Sequence, residues 1–544
     1  MAWSDGSRLG MLMVLPPLSA SRRTASAIVA PLGGAASGTE PTSVGERLRI
    51  AVYAPPTYVP PGDVTLAQVI VVHRHGDRAP ISRSAGSKLQ CDASAWAARL
   101  LEPTEPQPPA PDGVGVVAAA LAARRSAELA ALNASFPVQG SLGGVGGAND
   151  PPFGQLTTKG AAQCVALGAA VRASLEAHAP HLLQGDGLRG RVLAHATALR
   201  RTQLSAQYVL RGLLQPDLER EIGTEIGTGL ERSVPVRVRA IDDEILLPCP
   251  QSCAQLKHRL RQSNATARRA VLADPATSAL LRRLGAALGY ASTSETLSRL
   301  DQVREVATCY VAHTQGAPGG ETRDEGAPGG SEAGAMLTME DATLAEGDVL
   351  ATMSLSARLW RDTYSDQGVA RLGAGRLLHA IEAWILAAAR RAPEAPRVVL
   401  LSGHDSTMVP LLAALQLDAI RSWPPYAAHL RIEIGHAKGV GSQGGVGSHT
   451  PPGEAAVRLL YQGQPLTASD PSGGVVASGP ISDGVITSGA GWMHLEAFRG
   501  LLRAVKLSEA QYAAECDRKV GAEADAPEVA GGQQAEGGKA ADAH

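Results

Sequence analysis

Short apolar runs of strand length alternate with longer segments of helical periodicity along the middle of the chain. Residues 66–73 (LAQVIVVH), 191–194 and 397–402 (RVVLLS) are runs of this kind. Such runs, bounded by polar residues, predict strands that are buried on both faces.

Segments with helical spacing follow the predicted strands. Residues 159–178 place Cys164, Leu167, Val171 and Leu175 on one helical stripe. Three further segments show the same spacing: a helix that holds Leu204, Tyr208 and Leu214, residues 375–390, and a helix at residues 406–417. The alternation predicts an α/β fold, a mixed and mostly parallel sheet with helices on both faces. The reactive loops of such sheets lie at the carboxyl ends of the strands.

Three internal segments and the C-terminal end have the composition of flexible chain. Residues 315–334 contain GAPGG twice, and residues 438–453 and 467–491 are rich in glycine and serine. We interpret them as surface inserts, and residues 517–544 as a disordered tail. Without these inserts, the domain at residues 62–516 is still of ordinary enzyme size.

The charge balance and the hydropathy exclude two classes of partner. The 544 residues contain 50 Lys and Arg against 52 Asp and Glu, a net charge of −2. Without a basic excess we expect no nucleic-acid partner. No run of eighteen apolar residues occurs, so we also expect no transmembrane helix. Hydrophobic residues make up 44% of the chain, which allows a sizeable core.

Residues 1–61 are interpreted as a largely disordered leader with a targeting role. Residues 11–18 (MLMVLPPL) are apolar but short, and prolines interrupt them. A secretory signal and an organelle transit peptide both remain open. The sequons at Asn133 and Asn264 favour the secretory or extracellular route and a glycoprotein.

The first predicted strand runs directly into the segment Arg74-His75-Gly76-Asp77-Arg78-Ala79-Pro80. Arginine binds phosphoryl groups through paired hydrogen bonds. Cations around His75 disfavour its protonated form and leave a neutral, nucleophilic nitrogen. The alternative is a basic strand end that pairs with carboxylates. The pattern favours a phosphoryl-transfer site.

A second motif, Gly403-His404-Asp405, lies between the last predicted buried strand and the helix that follows it. The N–H groups at a helix N-terminus favour a bound anion. Because aspartate also caps helices well, a purely structural role of Asp405 is the alternative. The first motif upstream makes catalysis the preferred interpretation.

The heptapeptide resembles the signature of the histidine acid phosphatase family. Five further segments are similar to motifs of that family in the same order: Gly154-Gln155-Leu156-Thr157 with Gly160, Gln163, Leu167 and Gly168; Arg201-Thr202 with Ser205-Ala206; Gly403-His404-Asp405-Ser406-Thr407; Pro424-Pro425-Tyr426-Ala427; and Leu495-Glu496 with Phe498. The resemblance spans about residues 66–516, apart from the inserts.

The resemblance implies a role for each matching residue. His75 is then the nucleophile, which becomes a phosphohistidine, and Asp405 protonates the leaving oxygen and later activates water. The phosphoryl oxygens are bound by Arg74, Arg78, Arg201 and His404. Arg200 is the alternative third arginine, but the register of Thr202 favours its neighbour.

The chain departs from the family pattern at His195, where relatives often have arginine, and we interpret it as a histidine at the edge of the core. Asp77 is the residue of the acid phosphatase branch, where phytases have alanine.

The resemblance makes Cys253 and Cys516 the favoured disulfide. Cys309 resembles another bridging position, but its expected partner is missing. Cys164, on an apolar stripe, is expected to be a buried free thiol.

The implied activity is that of a metal-independent acid phosphatase without a cofactor, whose partner is a small phosphate monoester. The implied architecture is an α/β core, at about residues 62–87, 150–243 and 367–516, with a smaller, mostly helical cap domain at about 88–149 and 244–366. No oligomeric state is predicted.

Narrower activities, phytase-like or directed at lysophosphatidic acid or phosphosugars, stay open as alternatives. A mutase is disfavoured because the motif spacing matches the hydrolases. The alternative of another class is a non-catalytic phosphate-binding module. The joint presence of His75, Arg201 and Asp405 argues against that module, since binding alone needs neither a nucleophile nor a proton donor.

Overall fold

The computed structural model describes residues 47, 50–62, 64–102, 114–140, 151–184, 188–222, 233–314, 344–416, 422–437, 455–466 and 491–518. The predicted inserts at 315–334, 438–453 and 467–491 lie outside these residues, except for Gly491. The leader before residue 47 and the tail beyond Arg518 also lie outside them.

A mixed β-sheet forms the centre of the described structure, as the sequence predicts. Its strands are β1 (Val64–Arg74), β2 (Val138–Gly140), β3 (Val192–Ala196), β4 (Val236–Val238), β5 (Val398–Gly403), β6 (His429–Ala437), β7 (Ala455–Tyr461), β8 (Gln464–Pro465) and β9 (Trp492–His494). The order across the sheet is β2-β4-β3-β5-β1-β6-β7-β8, and β9 pairs with β7. Strands β2, β4, β3, β5 and β1 are parallel, and the pairings from β1 through β6 to β9 are antiparallel.

Helices surround the sheet. They are α1 (Ala93–Ala97), α2 (Val114–Ser135), α3 (Thr158–His178), α4 (Arg200–Ile222), α5 (Ala254–Ala273), α6 (Pro275–Leu288), α7 (Thr293–Ser298), α8 (Leu300–Thr314), α9 (Glu346–Tyr364), α10 (Gln367–Ala389), α11 (Asp405–Ala414), α12 (Leu495–Leu502) and α13 (Glu509–Cys516). All four predicted helical segments are present.

Alternate residues of the central strands feed two hydrophobic cores on opposite faces of the sheet. Ile70 and Val72 of β1 pack with α10, α11 and the helices between α5 and α9. Val69 and Val71 pack instead with α3 and α4. Because successive strand residues point to opposite faces, a continuous apolar run can fill both cores.

The three predicted strands lie side by side, in the order β3-β5-β1, and end at the same edge. Arg74 pairs in register with Gly403, and Ala196 with Ser402. The loops that carry the candidate chemistry therefore leave the sheet next to one another.

Helix α10 begins eight residues before the predicted segment 375–390. Asp366 caps it, because its carboxylate accepts the Val369 N–H at 2.8 Å. Glycines weaken the helical pattern of its first half. One of them, Gly375, is required by packing, since a Cβ there would lie 2.5 Å from the Val505 carbonyl oxygen.

By length and composition α10 also qualifies as a candidate membrane span, the one such helix found among the described residues. Ile381, Ile385 and other residues along it are buried in the protein core. A core helix meets the same criterion.

The end of the predicted leader, residues 57–61, is bonded to the sheet. The Tyr58 hydroxyl donates to Glu433 at 2.9 Å, and Arg458 donates to the Pro60 carbonyl at 3.0 Å. Glu433 and Arg458 are fully buried and bonded to each other. Since buried charges need hydrogen-bond partners, residues 57–61 are held against the sheet.

Part of the predicted cap belongs with the sheet. Strand β2 pairs with β4 at the sheet edge, and Leu129 and Leu132 of α2 join the core of α3 and α4. Residues 114–140 are therefore part of the sheet layer. Helices α5 to α9 lie together on the other face, within the predicted segment 244–366.

The disulfide that the resemblance implies is present. Cys253 and Cys516 are bonded, with 4.8 Å between their Cα atoms. The bond joins the start of α5 to the end of α13. Cys164 is a buried free thiol, as expected.

Candidate active site

The loop that follows β1 is fixed by backbone hydrogen bonds on both sides. The His75 N–H donates to the Gly403 carbonyl at 2.9 Å, and the Ala427 N–H donates to the His75 carbonyl at 3.1 Å. The Arg74 N–H donates to Ala428 at 2.8 Å. The signature loop is thus held between the end of β5 and the segment before β6.

Two glycines allow this loop to approach the start of α3. A Cβ on Gly76 would lie 2.3 Å from the Gly160 carbonyl oxygen, and a Cβ on Gly160 would lie 2.1 Å from the Asp77 carbonyl oxygen. Thr157 caps α3 through the Gly160 N–H and donates to Asp77 Oδ2 at 2.5 Å. Only glycine permits so close a contact between two backbones.

The His75 ring has a defined tautomer. Its Nδ1 lies 2.8 Å from the Gly76 carbonyl oxygen. Because a carbonyl can only accept, Nδ1 carries the hydrogen and Nε2 keeps its lone pair. Burial, followed by the charges of Arg201, Arg74 and Arg78, holds the pKa of His75 well below its usual value. The ring is therefore neutral and has one free nucleophilic nitrogen.

Arg74 is almost completely buried and connects both motifs. Its Nη1 donates to the Pro424 carbonyl at 2.7 Å, and its Nη2 lies 3.0 Å from Asp405 Oδ2. The guanidinium also stacks over the Tyr426 ring at 4.4 Å. These contacts fix its orientation.

Arg78 is held from the helical layer. Its Nη1 lies 2.6 Å from Glu305 Oε1, which also accepts the Ile81 N–H at 2.6 Å. Burial works against the charge of Arg78, but Glu305 outweighs it and keeps the pKa above its ordinary value. A residue of α8 therefore orients the second arginine of the signature.

Arg201 and Arg200 point in different directions. Arg201 Nη2 lies 3.5 Å from His404 Nδ1, and its Nε has no hydrogen-bond partner among the described residues. Burial, and then the charge of Arg78, lower the pKa of Arg201 to about 9. Arg200 bonds Glu102 at 2.6 Å near the surface. The structure thus places Arg201, and not its neighbour, beside the two histidines.

His404 and Asp405 begin α11 at the end of β5. His404 precedes the helix as its N-cap residue, and its N–H donates to Thr407 Oγ1 at 3.0 Å. Its Nε2 lies 2.9 Å from Thr197 Oγ1, and its ring centroid lies 5.5 Å from that of His75. Burial, followed by Arg201, holds the pKa of His404 well below its usual value.

Asp405 is not the helix cap. Its Oδ1 accepts the N–H of the adjacent Ser406 at 2.9 Å, and its Oδ2 accepts from Trp423 Nε1 at 3.1 Å as well as from Arg74. Burial would raise the pKa of Asp405, but Arg74 and Arg304 hold it far below its ordinary value. In the protein without substrate the carboxylate is ionised.

Arg304 and Trp423 belong to this arrangement, although the sequence motifs did not include them. The Arg304 guanidinium lies over the Trp423 ring at 3.7 Å, and its Nη1 lies 3.9 Å from Asp405 Oδ2. Arg304 is 5% exposed. The charged pair Arg304-Glu305 interrupts the apolar pattern of its helix, and this interruption is the sequence signal that could have marked Arg304.

The two departures from the family pattern have structural explanations. His195 is buried at the end of β3, with Nε2 3.3 Å from Glu244, as expected of a histidine at the core edge. Cys309 is a buried free thiol, and its Sγ lies 3.1 Å from the Tyr426 hydroxyl. It packs behind Arg78, where a bridge would need a second cysteine.

Comparison with known families gives one match over most of the chain. The model of the histidine phosphatase superfamily (branch 2) matches residues 65–461. The similar segment at residues 495–498 lies beyond that match. The comparison with curated proteins gives no match.

Several solved structures are similar to this chain. The phytase of Citrobacter braakii is 15% identical, with 83% of this chain and 99% of that chain covered and a TM-score of 0.47. The phytase of Hafnia alvei in complex with myo-inositol hexakis sulphate is 13% identical, with 82% and 100% covered and a TM-score of 0.47. The multiple inositol polyphosphate phosphatase of Bifidobacterium longum with inositol hexasulfate is 13% identical, with 85% and 99% covered and a TM-score of 0.42.

Proposed function

The chain belongs to the histidine phosphatase superfamily (branch 2), and from this premise we propose that it hydrolyses phosphate monoesters through a phosphohistidine on His75. The observation that carries the proposal is the orientation of that ring. Its Nδ1–H is bonded to Gly76, so the lone pair of Nε2 is free. The charges of Arg74, Arg78 and Arg201 act on the same ring. A phosphoryl group meets its nucleophile and its charge partners in one place.

In the first step, Nε2 of His75 attacks phosphorus and the P–O bond to the alcohol breaks. The arginines hold the phosphoryl oxygens, whose charge is spread over them in the transition state. Asp405 gives its proton to the departing oxygen, so the alcohol leaves neutral. In the second step, water attacks phosphorus, the P–N bond to His75 breaks, and Asp405 takes a proton from that water. Phosphate leaves and the site returns to its starting state.

The proton on Asp405 has to arrive with the substrate. A phosphate monoester loses its second proton with a pKa near 6, so below that pH it brings one. When the phosphoryl group engages Arg74, its negative charge raises the pKa of the adjacent carboxyl. Asp405 can then hold the proton that the chemistry uses. An acid pH optimum follows from this sequence of events.

We propose that the reaction is independent of metal ions, because guanidinium groups supply the positive charge that stabilises the transferring group. We also propose that the layer of α5 to α9 acts as the cap. It contributes Glu305 and Arg304, which contact Arg78 and Asp405. A phytase-like activity, as in the names of the similar structures, is compatible with the family and remains the alternative.

The experiment that tests this function combines turnover and trapping. Purified protein is given an aryl phosphate with and without EDTA, and labelled substrate is quenched under conditions that preserve the acid-labile P–N bond. We expect turnover in both cases and label on His75. His75→Ala should abolish both turnover and label. The control is His379→Ala, which replaces an exposed histidine on α10 and should leave both unchanged.

Substantial turnover by His75→Ala contradicts the covalent mechanism. Loss of activity in EDTA, restored by zinc or magnesium, contradicts metal independence. Phosphate binding by a wild-type protein that turns over no ester supports the non-catalytic module instead.

We further propose a secretory route with N-glycosylation at Asn133, supported by that sequon and by the Cys253–Cys516 bond, since disulfides persist in oxidising compartments. Asn133 is exposed at the end of α2. Removal of N-glycans from protein made in a secreting host should increase its gel mobility, and Asn133→Gln should abolish that change.

A further inference from the structure

A pocket of about 440 Å³ opens beside the first turn of α11, at the residue that follows Asp405. None of the proposed phosphate ligands lines it. Six of its twelve lining residues are apolar or aromatic, Leu247, Pro248, Pro250, Leu260, Trp360 and Tyr364, and the other six, Ser406 among them, are polar or charged. They come mainly from the segment after β4 and from α5 and α9, and most of the surface that they expose to the pocket is apolar. The volume lies within the range of about 300–1,000 Å³ that is usual for small-molecule sites.

Two of the lining residues are connected to the candidate proton donor, Ser406 directly and Trp360 through Trp423. Ser406 donates its backbone N–H to Asp405 Oδ1 at 2.9 Å. The Trp360 ring packs edge-on against Trp423, with 5.3 Å between centroids, and Trp423 donates to Asp405 Oδ2. A proton donor has to face the oxygen that leaves, so the alcohol part of a substrate departs on the side of Asp405. The pocket is adjacent to that residue, since Ser406 lines it.

The charge of the pocket limits what it can hold. Its charged lining residues, Arg261 and Asp301, have opposite signs. Asp301 also accepts the Trp360 Nε1–H at 3.2 Å and lies 3.6 Å from Arg304. An alcohol with several further phosphates needs several cations, because each buried phosphate requires charged partners. This pocket offers an apolar surface in their place.

We propose that this pocket binds the alcohol part of the substrate, and that the substrate is the phosphate monoester of an apolar alcohol, with an alkyl chain or a similar apolar body. The proposal rests on the phosphatase function proposed above. Transfer of such a chain from water to the half-buried walls of Leu260 and Trp360 stabilises the complex in proportion to the area covered.

The test uses n-alkyl phosphates from ethyl to decyl, together with myo-inositol hexakisphosphate. For the wild type we expect kcat/KM to rise about fourfold per added methylene until the pocket is filled. Binding of decylphosphonate and methylphosphonate, which lack the scissile ester, is measured by calorimetry in parallel. The long phosphonate should bind more tightly and with a more negative heat-capacity change.

Leu260→Glu places a charge in the pocket and should lower the ratio of kcat/KM for decyl over ethyl phosphate at least tenfold. The matched control is Leu272→Glu, an exposed position on the same helix, which should keep the wild-type ratio. Gln251→Glu, at an exposed lining residue, provides a second variant if Leu260→Glu fails to fold.

Three outcomes overturn the proposal: no dependence on chain length in the wild type, an unchanged ratio in both pocket variants, or a preference for the inositol hexakisphosphate. Failure of the phosphatase function gives a different result, since then no ester of any class is hydrolysed. In that case the phosphonate measurement still tests whether the pocket binds an alkyl chain. Equal affinity for the long and the short phosphonate excludes it.

Discussion

The Arg74 guanidinium lies 3.0 Å from the Asp405 carboxylate, so a candidate phosphate ligand neutralises the candidate proton donor before substrate arrives. In that state the pKa of Asp405 is far below its ordinary value, and burial alone would have raised it. The phosphoryl group has to take over Arg74 before Asp405 can hold a proton. In the proposed mechanism, substrate binding and activation of the acid are therefore a single event.

The two neighbouring arginines at the start of α4 provide a matched pair. Arg201→Ala should lower kcat/KM by about 10²–10³, the usual cost of one lost donor to the transition state. Arg200→Ala should change kcat/KM by less than tenfold, because the half-buried pair of Arg200 with Glu102 near the surface contributes little. Steady-state kinetics on one aryl phosphate decides. A severe loss at Arg200 with a mild one at Arg201 reverses the assignment.

The contact between the signature loop and α3 predicts an intolerance of Gly160 to substitution. Gly160→Ala should destabilise the protein by about 1–3 kcal/mol, because its Cβ would meet the Asp77 backbone oxygen at 2.1 Å. Gly190→Ala is the control, since a Cβ there meets nothing within 4 Å. Urea unfolding compares the two. Equal stability of both variants would show that the loop can move away from α3.

The buried histidine of β1 predicts a loss of stability in acid. Burial, opposed only by a hydrogen bond to the Arg74 carbonyl, lowers the pKa of His73 to about 4. Between about pH 6.5 and 4 the unfolded chain binds a proton there that the folded protein does not bind. Stability therefore falls with decreasing pH by about 1.4 kcal/mol per unit for this group.

His73→Asn should remove this slope, since an amide can donate to the same carbonyl without titrating. His75, His404 and His429, whose pKa values are also lowered, keep their own contributions. The free energy of unfolding is measured in urea at several pH values. His379→Asn serves as the exposed control, and a slope as steep as that of the wild type in His73→Asn contradicts the prediction.

Arg304 predicts a shift in the pH profile. Arg304→Met keeps an apolar stem against Trp423 but removes a positive charge near Asp405, so the pKa of Asp405 should rise. Because the protonated carboxyl is the active form in the proposed mechanism, the basic limb of kcat for an alkyl phosphate, which reports groups of the enzyme–substrate complex, should move to higher pH. Arg304→Lys retains the charge and should move it less. An unchanged profile in Arg304→Met assigns this arginine a packing role alone.

The sequence predicted the parts of the site that are local in the chain. Arg74 to Arg78 follow a recognisable strand, and His404 and Asp405 follow another, so the meeting of the two motifs at one sheet edge could be inferred. Arg304 and Trp423 could not be inferred in this way. They reach Asp405 from distant helical and loop segments, and such contacts depend on how the layers pack.

The contacts of residues 57–61 and 114–140 could not be inferred for a similar reason. Residues 57–61 are ordered by hydrogen bonds to Arg458 and Trp492, which lie at the other end of the chain. Strand β2 is only three residues long and is defined by its pairing with β4. Neither residues 57–61 nor β2 has a local hydrophobic pattern strong enough to predict its place in the structure.

The last prediction separates proton donation by Asp405 from its contacts. Asp405→Asn keeps the shape of the side chain and the acceptor for Trp423 or Ser406, but it cannot deliver a proton. An alkyl alcohol leaves as an unstable alkoxide unless a proton arrives, whereas a nitrophenolate is already a stable anion. A positioned general acid contributes about 10²–10⁴-fold.

Phosphorylation of the variant by alkyl phosphates should therefore fall by a factor in that range, while its phosphorylation by nitrophenyl phosphate is largely spared. Because Asp405 would also activate water in the second step, the phosphohistidine should accumulate with the aryl substrate. Rapid-quench measurements of the first turnover give both rates. Equal losses for the two substrate classes would remove Asp405 from the acid role and leave it as a partner of Arg74, since that contact is needed equally for either leaving group.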